Sequence, residues 1–483
     1  MNTNKITLNA TEQKIFDSVL AVAQRHGITL RVAGGWVRDK VLGKESHDID
    51  IAVDGKIDGV PVTGAIFANL MAAEVGGKVG VISANPDQSK HLETATMNIH
   101  GLSIDFVHLR SETYGDSRIP EVVVGTPETD ATRRDLTINS LFFNINTKKV
   151  EDFTGNGIDD LKAGRIRTPL AGKRTLLDDP LRTLRAIRFA SRFGFKVDEE
   201  LMTAMKDADV HKAFSNKVKV DRMTSELDGI MKNNPVMGTR LLIETGILNA
   251  LVPELAKMDF DQRTKYHNKT VLEHTLALAD ELHEKFPDDV DLKWAAILHD
   301  IGKPSTATGH KDGVSLTFVG HEKESAKMTE AILTRLRFSN ERINNIKRLV
   351  EKHMINFNPS WNDFKFKKWV REHFADANEL NRLVMLRGAD INALNPEHNS
   401  EPKAQHAALV ERAAKMNIDE VIQMDSFVDG KELQRIFNKK PGAWIKEVKG
   451  KMIDLQLQGM VNNKEEATER AQKWADKVNG VVN

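Results

Sequence analysis

Residues 48–53 read Asp-Ile-Asp-Ile-Ala-Val. Side chains of an extended strand alternate between its two faces. The run is therefore expected to fold as a strand that places Asp48 and Asp50 on one face and aliphatic groups on the other. Two carboxylates on one face repel unless a cation lies between them. A divalent ion with hard oxygen ligands, Mg²⁺ above all, satisfies both and is often shared with substrate phosphates. Upstream stand Gly34-Gly35-Trp36-Val37-Arg38-Asp39. Glycines let a backbone approach a phosphate closely, and Arg38 adds positive charge. A bare Asp-x-Asp is weak evidence, but with these neighbours it points to metal-assisted chemistry on a nucleoside triphosphate.

The same alternation marks strands at 30–32, 102–109 and 141–144. Asn9 or Thr11 caps a helix that runs to about Arg25. Gly76-Gly77, Asn85-Pro86 and Gly115-Asp116 read as turns. From about residue 160 the periodicity becomes helical. Asp179-Pro180 reads as a helix start, with a capping carboxylate and a proline in the first turn, and Gly194 as that helix's end. Further helices are expected at 198–209, 221–233 and 236–246, with Gly246 as a stop. A histidine-rich helical region opens near His267 and reaches Asn395, and more helices follow, broken at Asp429-Gly430 and Pro441-Gly442. The fold class is thus α+β, a sheet-bearing N-terminal part followed by all-α parts.

At 483 residues, two to four domains are expected. With no cysteine, disulfides, thiolate zinc sites and a cysteine nucleophile are excluded. Residues 1–10 lack both an apolar core and arginine, and no run approaches the roughly 20 apolar residues of a membrane span. The expectation is a cytoplasmic chain without membrane association. The formal net charge of zero hides an asymmetry: residues 161–240 hold 17 Lys+Arg against 10 Asp+Glu, an excess of seven. That region suits an RNA backbone.

Five motifs, in order from Val32 to about Pro253, resemble the class II tRNA nucleotidyltransferases, the CCA-adding enzymes, and their bacterial poly(A) polymerase relatives. The resemblance implies a palm-like head over 1–155, a helical neck and body over 156–265, and a helical tail over 401–483. In the first motif Asp48 and Asp50 would hold two Mg²⁺ ions, one activating an RNA 3′-hydroxyl and one neutralising the triphosphate. Asp105 reads either as a third carboxylate or as a strand-edge charge. Gly34 and Gly35 would contact phosphate oxygens. In the second motif, Arg133-Arg134-Asp135-Leu136-Thr137-Ile138-Asn139, Arg134 and Asn139 join the nucleotide site and Asp135 would read the ribose. The third, Asp152-Phe153-Thr154-Gly155 through Asp160-Leu161 to Gly164-Arg165-Ile166-Arg167, resembles the family's hinge, and a structural turn fits it equally.

The fourth motif, Asp178-Asp179-Pro180-Leu181-Arg182, matches the family's Glu-Asp-x-x-Arg with aspartate in first position. A carboxylate accepts hydrogen bonds and a guanidinium donates them, so Asp179 and Arg182 can accept C and A and reject G and U without a template. As an ordinary helix-surface pair at i, i+3 they would contribute only about 0.3–0.5 kcal/mol. Arg182, Arg185, Arg188 and Arg192 form one stripe about 120° wide at 100° per residue, aimed into a cleft or a charge network. In the fifth motif, Asp221 to Leu227, Asp221 replaces the usual glutamate, and Arg222 and Glu226 are spaced to pair within the helix. Residues 111–120 resemble the flexible loop tied to the switch from C to A addition.

Val271-Leu272-Glu273-His274, Leu298-His299-Asp300-Ile301-Gly302-Lys303 and Arg387-Gly388-Ala389-Asp390 resemble the HD phosphohydrolases, giving an HD domain over 266–400. His274, His299, Asp300 and Asp390 would bind a transition metal such as Mn²⁺, Ni²⁺ or Fe²⁺, with His321 and His353 extending the site to a second ion. His299 and Asp300 reach one metal only at a helix end, which Gly302 and Pro304 supply. The resemblance implies hydrolysis of phosphate at RNA ends, 2′,3′-cyclic phosphate included, or else a domain that only helps hold RNA. The expected partners are a tRNA 3′ end, CTP and ATP. The rival readings are a poly(A) polymerase, an A-only or CC-only enzyme, and an HD hydrolase with an RNA-binding head.

Overall fold

Helix α1 (Ala10–Arg25) starts where the Asn9 side chain accepts hydrogen bonds from the Thr11 and Glu12 amides and the Glu12 carboxylate accepts one from the Asn9 amide. Strand β1 (Thr29–Ala33) follows, and Gly34 turns the chain into α2 (Gly35–Val41). Strand β2 (Ile49–Asp54) begins one residue later than its pattern suggests, so Asp48 sits exposed just ahead of it. After α3 (Gly64–Val75) come β3 (Val79–Ile82), β4 (Thr94–Ile99) and β5 (Leu102–His108). The hairpin β6 (Arg110–Thr113) and β7 (Glu121–Val124) leads to α4 (Pro127–Thr132), then β8 (Phe142–Asn144) and β9 (Lys149–Glu151).

Seven strands form one sheet in the order β9-β8-β1-β2-β5-β4-β3. Only β2 and β5 pair in parallel, and their register sets Asp50 opposite Asp105. Helices α1 and α3 pack on the sheet, burying Ile49, Ile51, Ile104 and Phe106, with Phe67 edge-on to Phe106 at 5.3 Å. The computed structural model describes residues 6–82, 94–114, 120–310, 312 and 314–480. The Asn85-Pro86 turn and positions 115–119 of the 111–120 loop, Gly115-Asp116 included, lie outside them.

Helix α5 (Gly172–Asp178) ends at Asp179, and α6 (Arg182–Phe193) begins three residues later. The expected start at Asp179-Pro180 is corrected here. A residue before proline is pushed out of the helical region, and Asp179 is extended (φ −137°, ψ 100°). The helix expected over 198–209 is two, α7 (Glu199–Met205) and α8 (Ala208–Lys217), because Asp207 caps a new start. α9 (Val220–Asn233) and α10 (Pro235–Glu244) follow, and Gly246 has positive φ beyond the latter.

Residues Met1–Ala256 form one compact unit and Lys257–Asn483 a second. In the second, α11 (Val271–Lys285), α12 (Val290–Leu298), α13 (His321–Arg335), α14 (Asn340–Lys352) and α15 (Ala377–Ala393) pack together. Towards the C-terminus, Asp429 caps Gly430–Phe437, and Leu433, Phe437, Met452 and Ala471 share a small core. Among the described residues, no helix is long and apolar enough to cross a membrane.

Candidate active site

In the first unit a cleft of about 690 Å³ is lined by Asp48, Asp50 and Asp105 together with the arginines of α6. Thr96 Oγ1 donates to Asp105 Oδ1 at 2.6 Å, which orients it. Burial, then the neighbouring Asp48 and Asp105, push the Asp50 carboxyl up to about 6. Three carboxylates lining one cleft form an all-oxygen donor set for a hard divalent ion. Asp105 thus faces the cleft with Asp48 and Asp50.

Gly34 does not line the cleft, and its amide donates to the Leu141 carbonyl at 2.9 Å. The residue must be glycine for another reason: its φ is +72°, and a Cβ would come within 2.7 Å of Arg134 Nη1. Gly35 does line the cleft. Arg38 is only 3% exposed. It donates to Asp39 and Asn139 and lies about 5 Å from the Phe189 and Phe193 rings.

Asp130, which sequence reasoning passed over, organises the second motif. Its Oδ1 accepts from Arg133 and its Oδ2 from Arg134. Burial works to raise its pKa, but Arg134 and Arg133 outweigh that and hold it near about 2. The spacings to Arg133 (i, i+3) and Arg134 (i, i+4) on a proline-started helix were the available signal. Asp135 accepts from Asn139 Nδ2 and from Arg185, so Arg134, Asp135, Asn139 and Arg185 converge. Burial opposes its ionisation too, yet Arg185 wins and Asp135 also lies near about 2.

Asp179 and Arg182 both line the cleft, but they do not pair with each other. Asp179 Oδ2 accepts from Arg222 at 3.2 Å. Arg182 donates to the Arg133 carbonyl at 2.7 Å and to the Tyr114 hydroxyl at 3.3 Å. The i, i+4 pairing of Arg222 with Glu226 is likewise not made. Glu226 reaches across to Arg188 at 2.5 Å and Arg185 at 3.6 Å. Helix α6 therefore buries Leu184, Ile187 and Ala190 and turns Arg182, Arg185, Arg188 and Arg192 into the cleft, as the stripe implies. Tyr114, which the sequence reading placed in the 111–120 loop without a role of its own, donates to Glu112 and is pushed well above its usual range by burial.

The second unit brings all six expected ligands together. His274 Nε2 lies 2.8 Å from Asp390 Oδ1. His299 follows the last residue of α12, and its Nε2 is 3.2 Å from Asp300 Oδ2 and 4.0 Å from Asp390. Asp300 Oδ1 faces His321 Nε2 at 3.3 Å and His353 Nε2 at 3.7 Å. His299, His321 and His353 each hold a backbone carbonyl through Nδ1 (Ala296, Phe318 and Val350), which leaves Nε2 as an acceptor. The lone pairs of His321 and His353 then face each other at 3.2 Å. Asp300 Oδ2 has no hydrogen bond, although Lys303 Nζ is 2.7 Å away. Buried, pre-oriented nitrogen and oxygen acceptors of this kind fit a transition metal, with Asp300 between two triads, His274–His299–Asp390 and Asp300–His321–His353. A cavity of about 690 Å³ opens on this centre, and Arg387 and His267 line it.

Comparison with known proteins agrees with this geometry. Residues 30–167 match the Poly A polymerase head domain, 194–258 the probable RNA and SrmB-binding site of polymerase A, and 264–413 the HD domain. Both the head and HD families are metal-dependent. The mitochondrial CCA tRNA nucleotidyltransferase of Saccharomyces cerevisiae is 32% identical over 95% of this chain and 92% of its own length. Its namesake from Candida glabrata is 47% identical over 46% of this chain and 43% of its own. A Bacillus stearothermophilus CCA-adding enzyme solved with CTP superposes with a TM-score of 0.66 at 19% identity, covering 98% of this chain and 99% of that one.

Proposed function

The chain belongs to the CCA tRNA nucleotidyltransferase family, and on that premise we propose that it adds C, C and A to tRNA 3′ ends from CTP and ATP without a template. The observation that carries this reading is the convergence of Asp48, Asp50 and Asp105 with Asp179 and Arg182 on one cleft. Asp48, Asp50 and Asp105 would hold Mg²⁺, which when bound polarises the triphosphate and acidifies the 3′-hydroxyl. Asp179, braced by Arg222, offers a base its carboxylate acceptor, and Arg182, braced by the Arg133 carbonyl and Tyr114, offers donors. Because the two are not neutralised by each other, both keep edges for C or A. Asp135 and Arg185 act on the ribose as one hydrogen-bonded unit. We read four functional parts along the chain, a catalytic head (1–155), a selecting neck and body (156–265), the HD domain (266–400) and the tail (401–483).

In the second unit we propose hydrolysis of phosphate at RNA ends. His274, His299, Asp300 and Asp390 would hold one transition-metal ion, and His321 and His353, through Asp300, a second. Lys303 and Arg387 stand where a phosphate would approach. The cytoplasm is the proposed compartment. The mitochondrial names of two relatives weigh against it, and fractionation of the tagged chain decides.

The test is incubation with tRNA transcripts ending before CCA, after C and after CC, with each NTP alone. Stepwise addition of C, C and then a single A is expected, with G and U refused. Long A tails on generic RNA would make the protein a poly(A) polymerase instead.

A further inference from the structure

Nine arginines line the cleft of the first unit, and eight have partners within it or beside it. Arg38 and Arg192 meet Asp39, Arg133 and Arg134 meet Asp130, and Arg185 and Arg188 meet Glu226. Arg222 meets Asp179, and Arg182 meets the Arg133 carbonyl. The guanidinium of Arg110, on β6, has no hydrogen bond or ion pair among the described residues.

Its backbone, by contrast, is held firmly. The Arg110 amide donates to Asp130 Oδ1 at 3.0 Å, so the carboxylate that clamps Arg133 and Arg134 also fixes this strand. Gly125 packs so closely that a Cβ there would lie 2.4 Å from the Arg110 carbonyl carbon. Burial and then the nearby Arg133 both disfavour the Arg110 charge. Asp130 and Glu112 act at longer range in the opposite sense, but among the described residues neither makes an ion pair with this guanidinium, which is left desolvated on a fixed strand and able to take a further anion. Arg110 lines the same cleft as Asp48, Asp50 and Asp105.

We propose that Arg110 is a ligand for a phosphate oxyanion in this cleft, an inference that rests on reading the cleft as the nucleotide-adding site. Guanidinium and phosphate match in geometry and charge. The oxyanion has two sources, the triphosphate of the incoming nucleotide and the terminal phosphodiester of the RNA primer. A divalent ion at Asp48 and Asp50 shares its ligands with phosphates, so either source lies within reach.

The experiment measures steady-state addition of C to a tRNA transcript ending before CCA, with the full chain carrying Arg110→Gln or Arg110→Lys. Arg110→Gln is expected to raise KM for CTP roughly tenfold to a hundredfold, and Arg110→Lys less, because a point charge replaces the fork. CMP, used as a competitor, should bind Arg110→Gln as it binds the parent. If KM for tRNA rises instead, the oxyanion belongs to the primer, and the proposal stands with that source. If both KM values stay within twofold in both variants, or only kcat falls, the proposal is overturned. Thermal melting checks the fold, and if Arg110→Gln does not fold, Arg110→Lys carries the same criteria. Asp50→Asn is run in parallel. Incorporation that survives it overturns the reading of the cleft itself. Loss of incorporation there, with unchanged KM values in the Arg110 variants, overturns only the role of Arg110.

Discussion

Around Asp50 the sheet of the first unit presents carboxylate oxygens to an open cleft, whereas around Asp300 the helices of the second bury four imidazoles and two carboxylates against one another. On the proposed reading, the first centre would leave coordination positions for phosphate oxygens, and its ion would arrive with substrate and exchange readily. The second fixes His299, His321 and His353 in advance by backbone carbonyls on Nδ1, so on the proposed reading its ion would be held mainly by protein. On the same reading, the all-oxygen site would suit Mg²⁺ and the nitrogen-rich one a transition metal.

The largest expected effect separates the two centres outright. Asp50→Ala should cut nucleotide addition by on the order of a thousandfold or more and leave phosphate release from a 3′- or 2′,3′-cyclic-phosphate RNA unchanged. His299→Ala combined with Asp300→Ala should do the reverse, with metal content by mass spectrometry falling in step. After a brief chelator treatment, added Mg²⁺ should restore addition at once but not hydrolysis. Coupled loss of both activities in either variant would erase the distinction.

Much of this contrast was legible in the sequence because it depends on local spacing. The strand from Ile49, Gly35 on the cleft and the His-Asp step at a helix end all survive in the fold. The partners of the charged groups were not legible, since they are set by tertiary register. Asp50 meets Asp105 only through the parallel pairing of β2 with β5. Glu226 reaches α6 rather than Arg222. Asp179 lost its helical spacing to Arg182 because Pro180 forces the residue before it into extended backbone. The one readable hub that went unread, Asp130, sits in a short helix whose turn-like composition hides the i, i+4 signal.

Asp130 is the cleft's counterpart of Asp300, a buried carboxylate with several groups upon it, but its partners are the protein's own cations. Removing it should cost stability rather than a metal. Asp130→Asn leaves Arg133 and Arg134 without their carboxylate, and about 3–5 kcal/mol of loss is expected, read by urea unfolding of the full chain. Acid provides a second reading. Both Asp130 and Asp135 lie near about 2, below their ordinary value of 3.8. A depressed folded pKa stabilises above the unfolded value and is lost as pH falls through the folded one. The stabilisation, on the order of 2 kcal/mol for each group, should therefore disappear between about pH 4 and pH 2. Asp130→Asn should flatten that slope, and an unchanged acid transition would show that Arg134 and Arg133 do not hold the Asp130 carboxylate.

The smallest effect tests how each centre tolerates an added methyl group. At Gly34 a Cβ comes closest to the far end of Arg134, a flexible side chain, at 2.7 Å, with the Asn139 carbonyl oxygen less crowded at 3.3 Å, although the positive φ is unfavourable for alanine. At Gly302 a Cβ would lie 2.6 Å from the Ser325 amide nitrogen and 2.8 Å from the His321 carbonyl, both backbone atoms of α13, the helix that carries His321 as a proposed ligand. Gly34→Ala should thus cost about 1–3 kcal/mol of backbone strain and raise KM for CTP modestly as Arg134 shifts, with kcat little changed. Gly302→Ala should instead weaken metal retention in the second unit, because the helix must move and its histidine with it. Equal losses of stability with neither KM nor metal content altered would mean that these glycines serve packing alone, and that the open cleft and the buried centre are equally insensitive to their nearest backbone.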